Sequence, residues 1–152
     1  MRDSDRAQNL GLAPLSVVGV GLVVVGAWIR KKCYQAMGPL FTGQLAILRD
    51  HKLITTGPYS VVRHPSYAAL LAVYPGIACW FFSRGSWLRE SGVLETTTGS
   101  LFVYSFGVLL FSNVLFGISR MGREDSELRK AFGAEWDLWA RRVPYRLIPG
   151  VY

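Results

Sequence analysis

The chain has 152 residues, enough for one domain, and 51% of them are hydrophobic, with a mean hydropathy of +0.26. Its formal charge is +7, but the basic residues flank apolar runs and no nucleic-acid-binding motif is evident. The composition therefore argues against a soluble domain and a nucleic-acid partner, and it favours a small integral membrane protein whose basic residues meet anionic lipid headgroups.

The first apolar segment extends from residue 7 to residue 29, after a short polar tail. Its 23 residues carry no charge, and at 1.5 Å per residue a helix of this length crosses a hydrocarbon core of about 30 Å. A signal peptide is the competing interpretation. The start is not net basic, however, and Trp28–Lys32 is typical of a span that ends at a membrane interface, so we predict a transmembrane helix.

Residues 51–67, HKLITTGPYSVVRHPSY, form a polar, turn-rich stretch between apolar segments. Gly57-Pro58 predicts a tight turn, because glycine tolerates positive φ and proline fixes its own φ. Pro65 suits the first turn of a helix, which would place Arg63 and His64 at the positive end of that helix, where an anionic ligand group is favoured. The same composition also fits an interfacial loop that only anchors a membrane helix, so the residues alone leave both interpretations open.

Two further apolar segments follow, at residues 66–83 and 96–119. Six Lys and Arg precede the second segment within residues 30–63 and seven follow the third, whereas the N-terminal tail and the connection hold two each. Because positive charge is enriched on the cytoplasmic side, both basic blocks are predicted to lie there, with the two segments forming a hairpin. This topology brings the central stretch and the tail to one membrane face.

The tail, residues 120–152, contains an amphipathic pattern. Four apolar residues recur at spacings of four, four and three, which predicts a stripe along a helix lying in the headgroup region: Leu128, Phe132, Trp136 and Trp139. The predicted fold class is an all-α integral membrane protein with three transmembrane segments, the last two a helical hairpin, and a C-terminal interfacial amphipathic helix. We expect residues 1–152 to form a single domain, with the catalytic loop at residues 44–67.

The central stretch, followed by RMGREDSEL, FGAEW and RRVPYRLIPGVY, resembles the isoprenylcysteine carboxyl methyltransferase family over about residues 28–152. The resemblance implies methyl transfer from S-adenosylmethionine to the C-terminal carboxylate of a prenylated cysteine in CaaX-processed proteins. It also implies a place in the endoplasmic reticulum membrane, with the active site facing the cytoplasm. Eukaryotic members generally have further N-terminal spans, so self-association into a homo-oligomer is one expected way for this chain to complete a groove for the prenyl group.

The resemblance further implies roles for individual residues. Arg120 would be the catalytic residue and would contact the substrate carboxylate, because its planar guanidinium suits two oxygens. Without the resemblance, Arg120 and Glu124 fit a surface ion pair four residues apart on a helix. Asp125 stands where the family usually has glutamate, and its role is left open. The implied cofactor-binding positions are Gln44, His51, Lys52, Leu53, Ile54, Tyr59, His64, Pro65, Ser66, Tyr67 and Glu124.

No metal is expected for this chemistry. A carboxylate nucleophile is already ionised near neutral pH, and the two histidines and two cysteines form no ligand cluster in the sequence. Three alternatives remain open at this point. They are a phospholipid N-methyltransferase on the same scaffold, a membrane sterol reductase with a similar C-terminal sequence, and a catalytically silent membrane homologue.

Overall fold

The computed structural model of the protein describes residues 10–38 and 52–151. Its α-helices are α1 (Pro14–Met37), α2 (Pro65–Phe82), α3 (Trp87–Glu90), α4 (Thr97–Phe132) and α5 (Ala134–Arg142), and short 3-10 turns occupy Gly57–Ser60 and Val93–Glu95. No β-strand occurs among these described residues. Three stretches are long and apolar enough to cross a membrane: Pro14–Met37, Pro65–Glu90 and Thr97–Phe132. The predicted all-α membrane fold class is confirmed.

The first membrane helix is displaced along the sequence from its predicted bounds of 7–29. It begins at Pro14, where the missing N–H of a first-turn proline costs no hydrogen bond. It continues to Met37 through the basic cluster Arg30–Lys32. Lysine and arginine are good helix formers, so this cluster marks an interface without ending the helix.

The third membrane helix is longer than the apolar segment that predicts it. Helix α4 continues thirteen residues beyond Ser119, to Phe132. Arg120, Glu124 and Asp125 therefore lie on the same rigid helix as the third apolar segment. Their spacing and direction are consequently set by helical geometry.

The predicted apolar stripe of the tail is divided between two helices. Gly133 has a φ of +51°, a conformation that favours glycine, and it ends α4 before α5 begins. Phe132 accordingly closes α4, whereas Trp136 and Trp139 lie on α5. Trp139 is buried, and α5 is the short amphipathic helix of the C-terminal region.

By their internal contacts, the residues form two compact units. The first unit comprises Met1–Gly26 and Leu71–Val114. Within it α1 and α2 approach closely, since a Cβ added at Gly19 would lie only 2.6 Å from the carbonyl oxygen of Gly76. Small residues allow such close helix packing in a membrane, where lipid competes for apolar surface.

The second unit comprises Ala27–Leu70 and Leu115–Tyr152. Cys33 and Met121 are fully buried in it, and Trp139 is almost so. Two ionisable residues, His64 and Asp125, are buried in the same unit at 6% and 5% exposure. Buried charges are expensive unless they are paired, so both residues require partners within this unit.

Candidate functional site

The predicted tight turn of the central stretch is present. Gly57 has a φ of +62° and opens the 3-10 turn, with Pro58 directly after it. The Ser60 hydroxyl donates a 2.7 Å hydrogen bond back to the Gly57 carbonyl oxygen. This turn reverses the chain just before the basic and aromatic residues of the stretch.

Pro65 begins α2, and His64 stands immediately before it, as the sequence predicts. The His64 carbonyl oxygen accepts the backbone N–H of Ala68 at 3.1 Å. Its ring lies between two carboxylates of α4, with Nε2 3.0 Å from Oδ1 of Asp125 and Nδ1 3.5 Å from Oε2 of Glu124. Because both ring nitrogens face an acceptor, the doubly protonated imidazolium fits this position.

The charge state of His64 follows from its neighbours. Burial lowers the pKa of the His64 imidazole, but the hydrogen bonds and negative charges of Asp125 and Glu124 raise it by more, so the net pKa lies above its ordinary value of 6.5. In Tyr59, by contrast, burial raises the pKa of the phenol, because it disfavours the charged phenolate. Its neighbours thus favour the protonated form of His64, and burial favours the neutral form of the Tyr59 phenol.

Glu124, in the C-terminal third of α4, connects that helix to the start of α2. Its Oε1 accepts the hydroxyl proton of Tyr67 at 2.8 Å and also pairs with Nε of Arg120 at 2.8 Å. The Tyr67 ring packs against the backbone of Gly117, where an added Cβ would lie 3.0 Å from the ring. The side chains of Arg120 and Glu124 remain 24% and 20% exposed, so a ligand can reach this pair.

Asp125 is held more tightly than Glu124. Its side chain is only 7% exposed. While Oδ1 faces His64, Oδ2 accepts a 3.1 Å hydrogen bond from Nε of Arg146 and lies 3.5 Å from Nη2 of Arg63. One carboxylate is thus surrounded by three groups that carry or can carry positive charge, which accounts for its tolerance of burial.

Aromatic residues tie the turn to the helices around it. The indole N–H of Trp139 donates to the Tyr59 carbonyl oxygen at 3.1 Å, and the Tyr59 hydroxyl donates to Sδ of Met37 at 2.9 Å. These contacts connect α5 and the end of α1 to the same turn. The guanidinium of Arg63 also lies over the Trp136 ring, 5.8 Å from its centroid.

The sequence profile of the isoprenylcysteine carboxyl methyltransferase (ICMT) family matches residues 19–87. A "Probable protein-S-isoprenylcysteine O-methyltransferase" from Oryza sativa subsp. indica is 30% identical over 131 residues, which is 85% of this chain and 59% of that protein. By this profile and these relatives, the chain is similar to the isoprenylcysteine carboxyl methyltransferase family.

Other relatives of the chain extend the comparison. "Protein-S-isoprenylcysteine O-methyltransferase B" from Arabidopsis thaliana is 27% identical over 86% of the chain and 57% of its own length. A delta(14)-sterol reductase from Candida albicans is 27% identical over 95% of the chain but only 29% of its own length. The chain thus spans somewhat less than three-fifths of the plant relatives that it matches. No solved structure matches the chain significantly.

The structure brings together five of the predicted site residues, all in the second unit. They are His64, Pro65, Tyr67, Arg120 and Glu124. Tyr59 lies in the neighbouring turn, and Ser66 is half-buried in the first turn of α2. Lys52, Leu53 and Ile54 form an irregular segment before the turn, with Lys52 exposed. Gln44 and His51 lie outside the described residues.

Sequence reasoning missed the cations that hold Asp125. Arg146 belongs to the RRVPYRLIPGVY block, but no local spacing connects it with an aspartate 21 residues earlier. Arg63 stands next to His64 in sequence, but Asp125 is far away along the chain, so no local pattern links Arg63 with that carboxylate. Within residues 10–38 and 52–151, no group of three or more His, Cys, Asp or Glu is arranged to hold a metal ion.

Proposed function

We propose that this protein methylates the C-terminal carboxylate of prenylated cysteines, with S-adenosylmethionine as the methyl donor. The observation that carries the proposal is the joined group of Arg120, Glu124, Tyr67 and His64, which lies where a membrane helix continues into a charged segment. Similarity to the family supports the choice of substrate and donor. We further propose that this group faces the cytoplasm at the endoplasmic reticulum membrane, in line with the flanking basic blocks.

Charged side chains of the second unit complement the charged groups of S-adenosylmethionine. S-adenosylmethionine has an amino group and a carboxylate, and the second unit offers partners for both. Glu124 is a partly exposed carboxylate. Nη1 of Arg30 is buried and meets no hydrogen-bond partner among the described residues. Arg30 belongs to the same compact unit as Glu124. We therefore assign Glu124 to the amino group or ribose, and Arg30 is a candidate for the carboxylate.

When bound, S-adenosylmethionine supplies a sulfonium-activated methyl group that a carboxylate oxygen can attack directly. The chain's own residues have to orient that oxygen and exclude water. Arg120 is suited to orient a carboxylate, because its bond to Glu124 fixes the plane of the guanidinium. No residue has to remove a proton, since the substrate carboxylate is ionised near neutral pH. The raised pKa of His64 agrees with this, because the two carboxylates beside it favour the protonated form of its ring.

The apolar surface of the chain suits a prenyl substrate in a bilayer. Leu115 and Phe116, on the turns of α4 just before Arg120, are 50% and 64% exposed within the second unit. A lipid-soluble chain lying along this surface would bring its terminal carboxylate to Arg120. We propose this approach as the reason that the acceptor must be prenylated.

The test is methyl transfer by purified protein in lipid, with radiolabelled S-adenosylmethionine and three acceptors in parallel. The acceptors are N-acetyl-S-farnesylcysteine, its non-prenylated analogue and phosphatidylethanolamine. Base-labile label on the farnesylated acceptor alone is the expected result, because a methyl ester is cleaved by base. Label on the phospholipid would instead assign the chain to N-methyl transfer. If no acceptor is labelled while the protein remains folded, the proposed activity is wrong for this chain.

A further inference from the structure

The C-terminal segment that follows α5 is anchored on the residues that precede α2. The backbone N–H of Arg63 donates to the Tyr145 carbonyl oxygen at 3.0 Å, and that of His64 donates to the Arg146 carbonyl oxygen at 2.9 Å. Val143 and Leu147, on either side, are buried at 5% and 6% exposure. Two main-chain bonds and two buried side chains therefore fix the position of Arg146.

From this anchored position Arg146 reaches the acidic pair of α4. Its Nε donates to Oδ2 of Asp125 at 3.1 Å, and the other oxygen of that carboxylate lies 3.0 Å from Nε2 of His64. Each oxygen of Asp125 thus meets a different partner, so the two contacts together constrain the rotamer of this side chain. The orientation of the His64 ring consequently depends on a residue near the end of the chain.

We propose that Arg146 is a positioning residue of this site, which holds Asp125 so that Asp125 orients His64 toward Glu124. The inference rests on the proposed function only in assigning Glu124 to the cofactor. The chain of contacts from Arg146 to Glu124 exists without any ligand. It also gives Asp125 a defined role, that of an internal counter-ion between the C-terminal segment and His64.

The positioning role and a purely electrostatic role of Arg146 predict opposite changes in the pKa of His64. The charged groups that face His64 are the carboxylates of Glu124 and Asp125 and the cations that pair with them, Arg63, Arg120 and Arg146. If Arg146 acted only through its positive charge, its removal would make His64 easier to protonate. Releasing Asp125 from its rotamer weakens the hydrogen bond that stabilises the imidazolium and makes protonation harder. The direction of the change therefore separates the two roles.

The experiment is an NMR titration of the imidazoles in detergent-solubilised full-length protein labelled at histidine. The chain has two histidines, and a His51→Gln variant assigns their signals. In Arg146→Gln, we expect the His64 titration midpoint to move to lower pH. Arg142→Gln is the matched control, because Arg142 is an exposed arginine four residues away, and it should leave the midpoint in place. A midpoint that moves to higher pH, or does not move, overturns the proposal.

Two further measurements distinguish this result from loss of folding and from failure of the proposed function. Arg146→Lys keeps a cationic donor, so the His64 midpoint of this variant should lie close to that of the wild type. A folded Arg146→Lys protein with the same midpoint as Arg146→Gln would contradict positioning through Asp125. If the wild type binds S-adenosylmethionine, Arg146→Gln should weaken that binding about tenfold, as expected for a lost hydrogen bond to a charged group. An unchanged affinity would show that positioning does not extend to Glu124. The titration itself needs no cofactor, so its outcome stands even if methyl transfer is not found.

Discussion

His64 is the residue whose protonation couples most directly to the stability of the second unit. Its two ring nitrogens face Asp125 and Glu124, and its pKa in the folded protein lies above 6.5. A group with a raised folded pKa contributes stability that is fully present below its unfolded pKa. That stability is lost as pH rises through the folded value.

The first prediction concerns this pH dependence. Between pH 6 and pH 9, the difference in Tm between wild type and His64→Gln should be largest near pH 6 and shrink as pH rises, because deprotonation removes the attraction to both carboxylates. Thermal unfolding in detergent, without ligand, measures it. Asp125→Asn should flatten the pH dependence of the wild type in the same way. A Tm difference that stays constant or grows toward pH 9 would contradict the assigned charge state.

How far the residues of the site are predictable depends on whether they share a local pattern. Arg120 and Glu124 are four apart on one helix, and His64 and Tyr67 lie within a single motif, so sequence placed these residues correctly near one another. Asp125 stayed open because its partners, Arg63 and Arg146, come from distant segments joined by main-chain bonds. No periodicity in the sequence carries information about such pairing.

The helices follow a similar division between what is predictable and what is not. Apolar length predicted three membrane helices and Pro65 predicted the start of α2. The ends were misplaced where charge was taken as a boundary, as at Arg30–Lys32 and after Ser119, because lysine, arginine and glutamate continue a helix readily. Gly133 divides the tail because of its backbone conformation, and the hydrophobic pattern does not reveal that conformation.

The second prediction concerns the contact between helices in the first unit. Gly19→Ala should lower stability by about 1–3 kcal/mol, because the new Cβ would lie 2.6 Å from the Gly76 carbonyl oxygen and 2.9 Å from the Trp80 nitrogen. Gly21→Ala is the matched control, since a Cβ there meets nothing within 4 Å. Thermal unfolding of both variants in one detergent gives the comparison. Equal Tm values for the two variants would show that the close contact does not support the fold.

In the whole molecule, one helix contains both an apolar segment and residues of the candidate site. Helix α4 contains exposed apolar side chains such as Phe102 and Phe111, 72% and 64% exposed, and later in its sequence Arg120, Glu124 and Asp125. A lipid-facing helix that continues into a charged cluster suits a substrate with a long apolar chain and a terminal carboxylate. Whether residues 1–152 act as a single domain remains a prediction.

The measurement to make first is the rate of methyl transfer to N-acetyl-S-farnesylcysteine by wild type, Arg120→Gln and Arg129→Gln, each reconstituted in liposomes. Arg129 pairs with Asp137 at an exposed position on the same helix, so its variant controls for loss of a guanidinium away from the site. We predict that Arg120→Gln lowers the rate about a hundredfold, as expected for loss of a charged group that orients a reacting oxygen. Its affinity for S-adenosylmethionine should change by less than about fivefold, since a partly exposed ion pair contributes little. Arg129→Gln should match the wild type. Equal rates for Arg120→Gln and wild type would contradict a carboxylate-orienting role for Arg120 and, with it, the placement of the active site.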